Sequence, residues 1–184
     1  TTSAGKPGAT YTPSASVTLY GKWTANVTGA ITLDSKYYAT SSTTTGTTVT
    51  TNAAPTPVYI KYNTGWYSNS AATTSITKLS TNPAYTGYDF GGFYTGKAGT
   101  GTQMVDASGK FTATSKTQYT TAGATATWYA HWIPDGETPF VVNHYTKNLG
   151  ANTYTLHSTE DKTGTTGASI TLASYKKTIT GFTY

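Results

Sequence analysis

Two five-residue stretches of this chain are near copies of each other. Leu19-Tyr-Gly-Lys-Trp23 and Trp128-Tyr-Ala-His-Trp132 lie 109 residues apart and share the Tyr and the final Trp. Side chains of an extended strand point alternately to its two faces. Val17, Leu19 and Trp23 therefore fall on one face and Thr18, Tyr20 and Lys22 on the other, the pattern of a half-buried strand. A strand that recurs implies a module that recurs. On this reading residues 1–23 end one module, 24–133 form a complete one, 134–139 are a linker, and 140–184 belong to a further, partial β module. The linker rests on Ile133-Pro-Asp-Gly-Glu-Thr-Pro139, two prolines among turn residues.

Composition narrows the class. Charged residues make up 10% of the chain, against roughly 25% in an ordinary soluble domain. Thr, Ser, Gly and Tyr are abundant, which suits pleated, half-buried surfaces, and the residues that favour helices are scarce. The expected fold is mostly β, as tandem small β-grasp-like repeat modules with little helix. The net charge of +5 rests on 12 lysines without an arginine, and the lysines are scattered. Phosphate and base-edge recognition favours the guanidinium fork, so the chain is not read as a nucleic-acid binder. There is no cysteine, hence no disulfide or thiolate metal site, and no apolar run of membrane-spanning length.

Within the complete module the alternation predicts strands near 30–33, 47–51, 58–62, 88–94, 114–119 and 125–132. Residues 70–79 are the one stretch that suggests a short helix. Gly96-Lys-Ala-Gly-Thr-Gly101 and Asp106-Ala-Ser-Gly109 read as turns. Beyond the linker, strands are expected at 140–147, 153–159 and 169–172.

The stretch Thr86-Gly-Tyr-Asp-Phe-Gly-Gly-Phe-Tyr-Thr95, followed by Trp128-Tyr-Ala-His-Trp132, resembles the pattern of the internalin B-type B repeat, also called the Listeria-Bacteroides repeat, of bacterial surface proteins. Tyr88, Phe90, Phe93, Tyr94, Trp23 and Trp132 carry the motif, with Phe93 where the family usually has Trp. Phe140-Val-Val-Asn-His-Tyr145, Gly164-Thr-Thr-Gly167 and Lys177-Thr-Ile-Thr-Gly-Phe182 resemble mucin-binding-protein-like repeats. These resemblances imply small β modules strung along an extracellular protein at the bacterial cell surface or secreted from it. Its partners would then be neighbouring repeats of the same protein, a host glycan or surface protein, or further copies of itself.

Candidate sites are few. His131 aligns with Lys22 and is expected to face solvent. His144 and His157 are candidate cross-strand neighbours, with Glu160 or Asp161 as the nearby acids, but a metal site needs a third ligand. The seven acids lie mostly in turns and linkers, and no nucleophile elbow or phosphate loop appears, so no enzyme, catalytic residue, metal or cofactor is expected. Asn26-Val-Thr28 is a formal glycosylation sequon. The best ligand-binding candidates are Tyr59, Tyr62, Asn63, Trp66 and Tyr67, because flat rings beside amides suit stacking and hydrogen bonding to a sugar or a protein. Against this stands a plainer role for Trp66 and the tyrosines, the capping of a thin core. The expected function is a stalk or spacer, the alternatives being a glycan- or protein-binding module and a filament subunit completed by strand addition.

Overall fold

The computed structural model describes residues 8–49 and 57–184. The fold is mostly β. Its strands are β1 (Ile31–Asp34), β2 (Tyr59–Lys61), β3 (Gly65–Tyr67), β4 (Ser75–Ile76), β5 (Tyr88–Tyr94), β6 (Gln103–Val105), β7 (Ala126–Pro134), β8 (Thr138–Lys147) and β9 (Tyr154–Gly164). Short 3-10 turns at Lys97–Gly99, Ala113–Lys116 and Leu172–Tyr175 are its helical content among the described residues, and no helix there is long and apolar enough to cross a membrane.

The principal sheet has the order β1-β7-β5-β6. Its inner pair, β5 and β7, is antiparallel, whereas β1 lies parallel to β7, with Ile31 opposite Ala126 and Asp34 opposite Tyr129. The small sheet β2-β3-β4 meets the principal sheet at β1, where Ile31 and Val58, just before β2, exchange backbone hydrogen bonds. Ile31, Val58, Ile60, Phe93, Met104, Val105 and Trp128 are fully buried between them. Trp128, Ala130 and Trp132 share that inner face of β7. The two indoles find acceptors, as buried N–H groups must: Trp128 Nε1 donates to the Tyr119 hydroxyl and Trp132 Nε1 to the Ser35 carbonyl, each at 2.9 Å.

The Gly91-Gly92 pair explains how β5 puts two phenylalanines on one side. Strict alternation would send Phe90 and Phe93 to opposite faces. Phe90 pairs with Trp132 and Phe93 with Ala130, so three steps on β5 meet two on β7 and the strand bulges between them. The rings then meet edge to face at 5.3 Å. Gly92 makes this possible, with φ of 109° and its α-carbon against the Val105 carbonyl.

Five sequence expectations are corrected. Residues 17–23 form no strand: they are exposed, with Trp23 at 95% exposure, because among the described residues no neighbouring strand supplies hydrogen bonds. Residues 114–119 do not pair either. The Ser115 and Thr117 hydroxyls donate to the carbonyls three residues earlier and close 3-10 turns instead. No helix forms over 70–79. Asn69 accepts from the Thr73 N–H and donates to the Thr73 and Thr74 hydroxyls, tightening a turn that leads into β4. In the strand expected at 47–51, Thr47 makes a single bridge to Tyr37, and residues 50–51 lie outside the described residues. Residues 169–172 add no third strand to β8 and β9, and Ile170 and Leu172 are exposed.

The connection from β7 to β8 is shorter than the expected linker, three residues, Asp135-Gly-Glu137. It is pinned by Asp135 N–H donating to the Gly87 carbonyl and by Thr166 N–H donating to the Asp135 carbonyl, both at 2.9 Å. Beyond it, β8 and β9 form a two-stranded ribbon with a bulge between His144 and Tyr145. The chain after β9 lies over one face of the ribbon, where Tyr175 meets Phe140 edge-on at 5.6 Å and Lys177 Nζ reaches Glu160 at 2.9 Å.

Candidate functional site

The five aromatic and amide residues proposed as a binding cluster do not share one surface. Trp66 belongs to the core layer. It stacks on Phe111 at 5.4 Å, nearly parallel, and its Nε1 donates to the buried Ser115 hydroxyl at 2.7 Å. Ser115 in turn donates to the Thr112 carbonyl. Tyr59 and Tyr67 are cross-strand partners on β2 and β3. Adjacent positions point to opposite faces, so this pair projects away from Ile60 and Trp66.

Tyr62 and Asn63 do lie together. Lys61 to Thr64 make a turn closed by Thr64 N–H donating to the Lys61 carbonyl, and Asn63 takes a left-handed conformation within it, φ 48°. The backbone N–H of Tyr62 donates to the Asn26 carbonyl and that of Asn63 to the Lys116 carbonyl, so the turn is held from both sides. Between this turn and the chain after Trp23 runs an open groove of about 540 Å³, lined by Trp23, Asn26, Tyr62, Asn63, Thr64 and Thr120 among others. Asn26 Nδ2 donates to the Thr120 carbonyl at 2.8 Å, fixing one wall. The groove thus holds two exposed aromatic rings and two amides. Trp23, Asn26 and Thr120 were not part of the expected cluster. The sequence signal for them was slight, since Trp23 reads there as a core residue. In the sequon, Thr28 is buried and its hydroxyl accepts from the Ile60 N–H.

The other motif residues fall as follows. Phe93 and Trp132 are buried, Phe90 is half-buried against both, and Tyr88 stacks on Tyr85 at 4.5 Å. Tyr94 meets His131 edge-on at 5.6 Å. His131 is half-buried rather than solvent-facing, because Gly99 folds down onto its ring. On the same outer face of the sheet, Lys97 Nζ sits 4.7 Å above the Tyr38 ring and donates to the Thr43 carbonyl. Tyr38 donates to Asp34 Oδ2 at 2.8 Å, and burial, reinforced by that carboxylate, pushes its phenol up to about 12.

His144 and His157 are not paired. The bulge places Ser158 opposite His144, and His157 is exposed. His144 Nε2 lies 3.8 Å from Glu160, whose carboxylate is held by Lys177 and Lys162 and thereby pulled down to about 2. Two ammonium groups at that carboxylate oppose a cation there. Among the described residues no group of three or more His, Asp or Glu side chains is arranged to hold a metal. The Asp106 carboxylate is likewise engaged, accepting from the Ser108 hydroxyl and from the N–H groups of Ser108 and Lys110, which lowers its pKa. Comparison with protein-family models, curated proteins and solved structures gives no match.

Proposed function

We propose that this chain is a load-bearing stalk or spacer segment of an extracellular bacterial surface protein built from tandem β modules. One observation carries the reading. The first and last strands of the principal sheet, β1 and β7, are parallel neighbours. The chain enters at the start of β1 and leaves at the end of β7, and these are opposite ends of one ladder. Tension along the chain therefore slides the two strands past each other and loads their hydrogen bonds together. A hairpin pulled from its open end loses its bonds singly, at lower force. The buried Ile31, Leu33 and Trp128 side chains add apolar contacts that must slip in the same step.

The chain lacks cysteine, so engineered thiol handles are unambiguous. Single-molecule pulling between Ala25→Cys and Asp135→Cys should give a markedly higher rupture force than pulling between Ala25→Cys and Thr125→Cys, which unzips the same strands. Equal forces in the two geometries would remove the basis for the mechanical reading.

The groove supports a second reading, binding of a neutral glycan by stacking on Trp23 and Tyr62. A glycan array comparing the native chain with Trp23→Ala and Tyr62→Ala tests it. Signal that survives both substitutions excludes the groove.

A further inference from the structure

We infer that the exposed arm at residues 17–23 adds as a strand to an open edge of the β8–β9 ribbon of a second copy of this chain, joining copies head to tail. The receiving element is incomplete by itself. A lone two-stranded ribbon is at best marginally stable, and three strands or a packed apolar face are needed for independence. Residues 165–184 cover one face but contribute no strand, so both outer edges of β8 and β9 keep their backbone groups unpaired among the described residues. The uncovered face carries Val141, Tyr145, Tyr154 and Leu156, each at least half exposed. Exposed edges of this kind are templates for another strand.

The donor is equally unfinished. Val17, Leu19, Tyr20 and Trp23 are between 50% and 95% exposed, in the sequence pattern that β7 uses at the centre of its own sheet. The arm has a strand's side chains and, among the described residues, lacks a sheet. Seven residues span roughly 23 Å, well within the length of ten-residue β8.

Geometry makes the pairing intermolecular. The arm is anchored at the start of β7, where Gly29 N–H donates to the Ala124 carbonyl and Asn26 to Thr120. The ribbon departs from the far end of that strand, nine residues or roughly 30 Å away. Trp23 is three residues from the Asn26 anchor, at most about 11 Å of extended chain. A donor at one end and an acceptor at the other form a heterologous contact, which propagates as a filament or closes as a ring. This association does not depend on how the chain bears load.

Light scattering and sedimentation of the intact chain over a wide concentration range test the inference, alongside the variant Val17→Lys/Leu19→Lys. Both substituted positions are exposed, so circular dichroism should show the variant folded. The native chain should form concentration-dependent oligomers and the variant should stay monomeric. A photo-crosslinking peptide of residues 15–25 should label β8 or β9 of the variant, and the same peptide carrying the two lysines should not. A native chain that is monomeric throughout, oligomers that persist in the variant, or labelling confined to residues outside the ribbon would each overturn it.

Discussion

Replacing Trp66 separates a core role from a ligand role by magnitude. Its ring lies over Phe111, which is 3% exposed, and its N–H is satisfied by a fully buried hydroxyl. Trp66→Ala should cost about 3 kcal/mol, the low end for an aromatic truncated to alanine because Trp66 is half-buried. Trp66→Phe keeps a ring over Phe111 and removes the N–H. Ser115 still donates to the Thr112 carbonyl, so the loss should be about 1 kcal/mol. Ser115→Ala instead leaves the indole N–H without its acceptor and should cost about 1–3 kcal/mol. The double variant Trp66→Phe/Ser115→Ala removes both partners and should cost less than the sum of the single changes. Urea titration reads each value as a shift in midpoint at constant slope. An unshifted midpoint for Trp66→Ala, or strict additivity in the cycle, would refute the core assignment.

Four further outcomes are expected. Phe93→Ala should cost about 3–5 kcal/mol and Phe90→Ala distinctly less by the same titration, since Phe93 is fully buried and Phe90 half-buried. Gly92→Ala should destabilise more than a typical surface change, because its φ of 109° and the Val105 carbonyl leave no room for a methyl group. Because Glu160 is lowered from 4.5 to about 2 by Lys177 and Lys162, its contribution is present above pH 4.5 and lost as pH falls toward 2. Carbon-detected NMR titration should follow it, with a smaller shift in high salt because the pair is solvent-exposed. Tyr38 is raised from 10 to about 12, so its contribution is full below pH 10 and lost as pH rises through 12; ultraviolet titration should show late-ionising tyrosine absorbance that Tyr38→Phe reduces and does not remove, because burial also raises Tyr88.

Much of the architecture was legible before any coordinates. Strand β5 falls at residues 88–94 as its aromatic alternation requires, β7 contains the Trp128 to Trp132 stretch, and the Asp106 to Gly109 turn forms. These succeed because the information is local: side-chain alternation, turn residues and the scarcity of helix formers act within a few residues. The candidate site was legible in part. Tyr62 and Asn63 sit on one turn, as neighbours in sequence must, but Trp66 and Tyr67 point to opposite faces of β3 because a strand separates adjacent residues by its pleat.

By itself, then, the sequence determined the class of fold, the main aromatic strands and the likeness between residues 19–23 and 128–132. Tertiary structure decided what that likeness means in space. Trp132 is buried because β5 and the Ser35 carbonyl meet it, while Trp23, with the same local pattern, is 95% exposed because among the described residues no sheet surrounds it. Only the assembled sheet placed β1 parallel to β7 and the arm and ribbon at opposite ends of β7. A strand's alternation states which faces it offers; hydrogen-bonding partners distant in the chain decide whether either face is covered.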